Sequence, residues 1–203
     1  MALPWPLPPG AGDLAWERSW APYDPPTYRA VLDLIRPEDV VLEIGAGDLR
    51  LAKLIARAAR RVYAIEMQPA LLEQAASPGQ APLPGGLQVI CADALAFPFP
   101  PGITTAVLLM RHCTHFRFYA EKLRAAGCER LITNARWKMG VEQVHLSAPR
   151  LAYRDVKMGW YACWCGSASF KPGQPDEFTE ELDRITHEVS DCPVCRAEKP
   201  AKN

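Results

Sequence analysis

A chain of 203 residues is long enough for one full α/β domain with an appendage, and 49% hydrophobic residues supply a core, which excludes global disorder. Twenty-three basic side chains balance 23 acidic ones, so the formal charge of zero excludes a chain-wide electrostatic footprint for nucleic acid or anionic membrane. No apolar run reaches the roughly 18 residues of a membrane span, and the proline-broken start lacks a basic leader. Seven cysteines, an odd number without a secretion signal, then point to reduced thiols in a cytoplasmic protein.

In chain order, residues 1–26 form an arm rich in Pro and Trp. Asp24-Pro25-Pro26 is a helix start: a capping carboxylate followed by proline in the first turn. Tyr28, Val31, Leu32 and Ile35 then fall on one helical face, and Pro37 stops the helix. Five short apolar runs follow, at Val40–Ile44, Val62–Ile65, Leu87–Ile90, Ala106–Met110 and Arg130–Thr133. Runs that are apolar throughout suit strands covered on both faces. Leu51, Leu54, Ile55 and Ala58 make a helical stripe between the first two runs. Phe116, Tyr119, Ala120 and Leu123 make another between the last two, with Gly127 as its C-cap. The stretch from Gln74 to Gly86 reads as loop. This alternation predicts an α/β fold with a doubly wound, mostly parallel sheet. Beyond Val141, "VEQVHLSAP" and "GWYACWCGSASF" read as two later strands, with an antiparallel pairing between them as one arrangement. Phe178, Leu182 and Ile185 fit one side of a short helix. The expected division is an arm over 1–26, a main domain over 27–170 and a Cys-bearing C-terminal extension over 171–203.

The chemistry concentrates after the first run, in "VLEIGAGDLRLA". Ligands of open parallel sheets bind beyond the carboxyl ends of the strands, where glycine lets backbone approach closely. Gly45 and Gly47 mark such a place. A dinucleotide fingerprint asks for a third glycine where Arg50 stands, and the phosphate loop ending in Gly-Lys-Ser/Thr is absent. Three acids at successive strand ends fit better: Glu43, then Glu66 in "VYAIEM", then Asp93 in "VICADAL". They offer acceptors to a ligand carrying an amino group, ribose hydroxyls and an adenine amine. Taken singly, the glycines are a tight turn, Glu66 a solvated acid and Asp93 a helix cap.

Together these stretches, from Tyr23 to Thr133, resemble the class I S-adenosylmethionine-dependent methyltransferases. "VLEIGAGDLRLA", "AIEMQP" and "CADAL" look like their first three motifs, with Leu49 where the family often has a further glycine. The resemblance implies a Rossmann-like methyltransferase fold and S-adenosylmethionine as cofactor. Glu43, Gly45 and Gly47 would lie near its methionine part, Glu66 would take the ribose hydroxyls and Met67 would pack on adenine. Asp93, with Ala94 beside it, would accept from the adenine amine. Met110 and Arg111 would border the methyl donor, and Tyr23 joins the cofactor-binding set. After the fourth run stands "LLMRHCTHFRFY" in place of the Asn/Asp-Pro-Pro-aromatic loop of base-amine methyltransferases. Cys113 lacks the preceding proline of the cytosine C5 enzymes. His112 and His115 are the general-base candidates, against a packing or capping role. Trp16, Trp20, Tyr23, Asn134 and Trp137 are candidates for the rim of a substrate cleft.

Cys163-Trp-Cys165 and Cys192-Pro-Val-Cys195 are two close pairs with 26 residues between them. On a strand Cys163 and Cys165 point to one side, and four sulfurs suit a tetrahedral, structural zinc. A redox Cys-x-x-Cys or unconnected core thiols are the alternatives, and His187 is a reserve ligand. The expected function is methyl transfer to an unidentified acceptor, a small molecule or protein side chain, with no membrane partner. One alternative is an RNA methyltransferase using the zinc extension and a basic face of Arg117, Lys122, Arg124, Arg136 and Lys138, side chains otherwise read as a solvated surface. The other is a non-catalytic cofactor-binding or partner subunit.

Overall fold

The computed structural model describes residues 24–77, 79–111, 113–136 and 140–197. Among the residues singled out by sequence, Trp16, Trp20, Tyr23, His112, Trp137 and Lys138 lie outside these ranges.

Helix α1 (Pro25–Leu32) starts where the sequence places it: the Asp24 carboxylate accepts from the Thr27 N–H at 2.9 Å, and the prolines occupy positions whose N–H groups need no helical partner. Val31 is fully buried, with Tyr28, Leu32 and Ile35 packed around it. The main sheet comprises β1 (Val40–Ile44), β2 (Arg61–Glu66), β3 (Leu87–Cys91), β4 (Thr105–Leu108), β5 (Arg130–Thr133) and β6 (Glu142–His145), in the order β3-β2-β1-β4-β5-β6. The first five strands are parallel and β6 closes the sheet antiparallel to β5. Strand order reverses between β1 and β4, which opens a crevice at their carboxyl ends. Strands β1, β4 and β5 are buried at every position, as runs covered on both faces must be, whereas β3 at the edge is only half-buried.

Helices α2 (Arg50–Ile55), α3 (Pro69–Ala75) and α4 (Phe116–Ala125) supply the crossovers. All four residues of the α4 stripe, Phe116, Tyr119, Ala120 and Leu123, are buried. Gly127 caps the helix at φ +81°, and the Cys128 N–H returns to the Leu123 carbonyl at 3.0 Å. One layer of core lies between the sheet and α4; a second joins Val41, Val62, Val107 and Ile132 to α1 and α2.

The C-terminal part departs from the sequence reading. "VEQVHLSAP" does not pair with "GWYACWCGSASF": the first provides β6, at the edge of the main sheet, and the second folds on itself. Strand β7 (Gly159–Cys163) turns through Gly166 into β8 (Ala168–Lys171), and β9 (Thr186–Val189) joins β7 in parallel to make a second sheet, β8-β7-β9. Two of its three strands, β7 and β8, end by Lys171, and β7 carries β8 on one edge and β9 on the other. Short helices α5 (Glu180–Arg184) and α6 (Pro193–Ala197) flank β9. Phe178 and Ile185 border α5 and remain exposed.

Arg136 joins the two sheets. Its guanidinium is fully buried and donates to both oxygens of Glu142 and both oxygens of Glu188, the latter on β9 and 52 residues away in the chain. The expected basic face is therefore largely consumed. Besides Arg136, the Lys122 ammonium donates to the carbonyls of Ala94, Leu95 and Phe97 at 2.7–3.0 Å, and Arg117 pairs with Glu121. A guanidinium with four acceptors and an ammonium with three carbonyls gain more from these fixed partners than from water.

Candidate cofactor site and cysteine cluster

Strand β1 delivers Glu43 and Ile44 to the crevice, where the chain must turn sharply. Gly45 (φ +74°) and Gly47 (φ +54°) adopt left-handed backbone, and a Cβ on Gly45 would meet the Met110 methyl carbon at 3.3 Å. Leu49 also takes left-handed backbone, at φ +65°, without being glycine. A conformation that costs an L-residue roughly 1–2 kcal/mol is retained, because its side chain is sealed among Ala46, Ala52, Ala64 and Ala75. The turn leads into α2, and Asp48 pairs with Arg50 beside it.

A cavity of about 650 Å³ opens here, beyond the carboxyl ends of β1, β2, β3 and β4. Nine of the ten proposed cofactor residues line it: Glu43, Gly45, Gly47, Glu66, Met67, Asp93, Ala94, Met110 and Arg111. The tenth, Tyr23, lies outside the described residues, although its neighbour Asp24 reaches the wall. A smaller hollow of about 340 Å³, at Val40, Arg60, Arg61 and Tyr63, lies at the opposite end of the strands.

The acids in the cavity differ in how they are held. Glu66 is buried, and its two oxygens accept from the N–H groups of Gly47 and Gln68, each at 2.9 Å. Asp93 is exposed and accepts from the Leu95 N–H at 2.8 Å. Glu43 is buried, and its Oε2 has no hydrogen-bond partner. Burial, reinforced by the nearby charges of Asp48 and Glu66, pushes its carboxyl up to about 8. A buried acceptor without a donor, on the wall of a cavity lined by acids, fits a ligand that brings a cationic or N–H donor group.

Tyr119 and residues of α1 complete the wall. Sequence periodicity assigned Tyr119 to the core; it is buried, yet it also faces the cavity, and burial holds its hydroxyl protonated by pushing it up to about 12. Periodicity reports only which face of α4 is buried, not that this face overhangs a ligand cavity. Thr27 and Tyr28 of α1 were likewise missed, and the capping position of Asp24 was the available signal. His115 begins α4, exposed, with its ring edge-on to Tyr119 at 6.4 Å between centroids, and is not among the residues lining the cavity. His112 lies outside the described residues. Cys113 is buried, and its thiol is pushed above its ordinary value by that burial. Asn134 is buried, with neither atom of its amide hydrogen-bonded.

The second sheet gathers four sulfurs. Cys163 ends β7, Cys165 lies past the strand's end in the hairpin turn, and Cys192 and Cys195 bracket the start of α6. Their sulfur atoms all lie within 4.8 Å of one another, with Cys165–Cys192 at 3.5 Å and Cys163–Cys195 at 3.9 Å. Four thiolates about 2.3 Å from one tetrahedral zinc would stand ~3.8 Å apart, so the group fits such an ion with small adjustments. His187 is not part of the group and packs near Gly159.

Residues 41–133 match a family model described as a methyltransferase domain. A curated relative, a probable ribosomal RNA small subunit methyltransferase A of Methanosarcina mazei, is 39% identical over 66 residues, a match that spans 32% of this chain and 24% of the relative's length. Among solved structures, a SAM-dependent methyltransferase from Thiobacillus denitrificans in complex with S-adenosyl-L-homocysteine is 15% identical at a TM-score of 0.46, over 58% of this chain and 52% of that one. A dimethyladenosine transferase from Plasmodium falciparum is 19% identical at a TM-score of 0.43, over 54% of this chain and 41% of that one. Among the described residues, no helix is long and apolar enough to cross a membrane. By its sequence match the segment 41–133 is a methyltransferase domain, carried on a mostly parallel, Rossmann-like sheet.

Proposed function

We propose that the chain is an S-adenosylmethionine-dependent methyltransferase acting on a small molecule or a protein side chain, from a cytoplasmic setting. The observation that carries this reading is one cavity at the strand ends, lined by Glu43, Glu66 and Asp93 in the order the ligand's donors require. The cofactor, when bound, supplies a methyl group on a sulfonium, ready for in-line displacement. Glu66, already oriented by two backbone N–H groups, accepts the ribose hydroxyls, and exposed Met67 packs on adenine. Asp93 and Ala94 meet the adenine edge. Glu43, with Gly45 and Gly47, receives the methionine end, while Met110 and Arg111 border the methyl group. Such an enzyme has mainly to orient its acceptor and, where needed, take its proton. His115, edge-on to Tyr119, is our general-base candidate among the described residues, and His112 remains a second.

RNA as acceptor draws support from the name of the curated relative. Against it stand the partners of Arg136 and Lys122, which take these two side chains out of the basic face the sequence offered. We further propose that Cys163, Cys165, Cys192 and Cys195 hold one structural zinc, with four protein ligands and no open position.

Calorimetric titration with S-adenosylmethionine and S-adenosylhomocysteine tests the cofactor reading: both should bind, and Glu66→Ala should bind more weakly. No heat with either ligand overturns it. Transfer of labelled methyl to fractionated metabolites, proteins and RNA then separates the enzyme from a non-catalytic subunit and identifies the acceptor class. Elemental analysis should find one zinc per chain, lost in Cys192→Ser. Sub-stoichiometric metal in the wild type, or undiminished metal in the variant, refutes the tetrathiolate site.

A further inference from the structure

We propose that Glu43 is protonated in the ligand-free protein and gives its proton to solvent when the cofactor binds, so that proton release is part of the binding step. The inference rests on the cavity being the S-adenosylmethionine site.

The geometry distinguishes Glu43 from the other acids around it. Glu66, at the end of β2, has an N–H donor on each oxygen. Asp48, in the turn, has the guanidinium of Arg50. Asp93, after β3, has the Leu95 N–H, and Asp24, before α1, has the Thr27 N–H. Each of these carboxylates has at least one donor on an oxygen. Glu43 is 5% exposed, and its Oε2 has no donor. Two like charges, Asp48 and Glu66, act on it, and Arg50 is already engaged by Asp48. Arg111, after β4, lines the same cavity, and its charge acts on Asp24.

A third carboxylate sealed beside two others keeps its proton. Burial, the charge of Asp48 and the charge of Glu66, in that order, raise Glu43 to about 8, so at pH 7 about nine-tenths of the molecules carry the proton there. An ammonium group placed against the free oxygen reverses the balance: it supplies both the missing donor and the opposite charge. Glu43 then ionises. The O–H bond breaks, the proton leaves to buffer, and the carboxylate retains the electron pair facing the ligand's cation.

Binding therefore carries a proton count, and affinity rises with pH. Below the pKa of Glu43, one proton released per ligand means about a tenfold gain in affinity for each unit of pH.

The test is calorimetry at pH 7 in two buffers of different ionisation enthalpy, with three probes. S-adenosylmethionine and S-adenosylhomocysteine each carry the amino group, and methylthioadenosine lacks the amino-acid part. We expect close to one proton released with the first two, none with methylthioadenosine, and none with any probe in Glu43→Gln. Wild-type affinity for S-adenosylhomocysteine should be about tenfold higher at pH 7 than at pH 6, with a flat profile in the variant. Binding of the two amino-acid-bearing ligands without proton release, or equal release with methylthioadenosine, overturns the proposal using the wild type alone. The same release in Glu43→Gln assigns the proton elsewhere and also overturns it. Absence of binding by both amino-acid-bearing ligands fails the cofactor reading itself, and this inference with it.

Discussion

Asp39 and Glu43 stand four residues apart, at opposite ends of strand β1, and both are sealed from solvent. Asp39 is surrounded by donors. Arg130 reaches both of its oxygens at 2.6–2.7 Å, the hydroxyls of Thr104 and Thr105 donate at 3.0 Å, and the Arg36 N–H donates at 2.8 Å. Burial alone would push its carboxyl up; the hydrogen bonds, led by Arg130, outweigh it and hold the group below its ordinary value. Glu43 has burial and like charges without that compensation, and its carboxyl is raised. At the end of the sheet away from the main cavity, the buried acid is spent on the fold. At the end that opens on the cavity, an acceptor is left free for a ligand. A buried acid is thus read through its partners rather than through its burial.

The largest effect should come from the saturated end. Asp39→Ala removes the counter-charge of the buried Arg130 guanidinium, which keeps only the Leu34 carbonyl and the Gln143 amide oxygen, and should cost about 3–5 kcal/mol in urea unfolding, without altering cofactor affinity of the folded fraction. A loss under about 1 kcal/mol would mean that water replaces the carboxylate, and the contrast with Glu43 would collapse. A smaller effect is expected at Leu49. Leu49→Ala keeps the left-handed strain and empties a buried site, for a loss of about 2–5 kcal/mol. Leu49→Gly empties the same site but relieves the strain, so it should be the more stable of the two by about 1 kcal/mol. If Gly is the worse replacement, the turn is not strained and the cavity end is no different in backbone from the rest.

The third effect is a slope, and the two acids give it opposite signs. Asp39 has a lowered folded pKa, so its contribution is present above the ordinary carboxylate range and disappears as pH falls through that lowered value. Glu43 has a raised one. Between its ordinary 4.5 and about 8 the unfolded chain ionises it while the folded chain does not, so ligand-free stability declines as pH rises through that interval. Chemical denaturation from pH 5 to 8 should show the decline in the wild type and flatten in Glu43→Gln. An unchanged slope in the variant would place the titrating group elsewhere.

Much of this arrangement is legible in the chain. The Asp24 cap, the α4 stripe and the five apolar runs each follow from local chemistry, and each forms as expected. The glycines and acids at the strand ends announce where a cavity should lie, and the described members of that set line one. What was not legible depends on partners distant in the chain. "VEQVHL" carries no mark that it pairs with β5 rather than with "GWYAC". Arg136 looks like any surface arginine until Glu188 is brought to it across 52 residues. Tyr119 satisfies the helical period whether or not its hydroxyl overlooks a ligand.

That buried arginine also bears on modularity. A cut near residue 171 keeps β7 and β8 but removes Glu188, β9 and two of the four sulfurs, leaving a guanidinium with half its acceptors under the edge of the main sheet. The C-terminal segment is therefore not a passenger that trimming or domain shuffling can exchange freely. Its loss is registered at Glu142, in the outermost strand of the methyltransferase sheet, and the two sheets should melt as one cooperative unit.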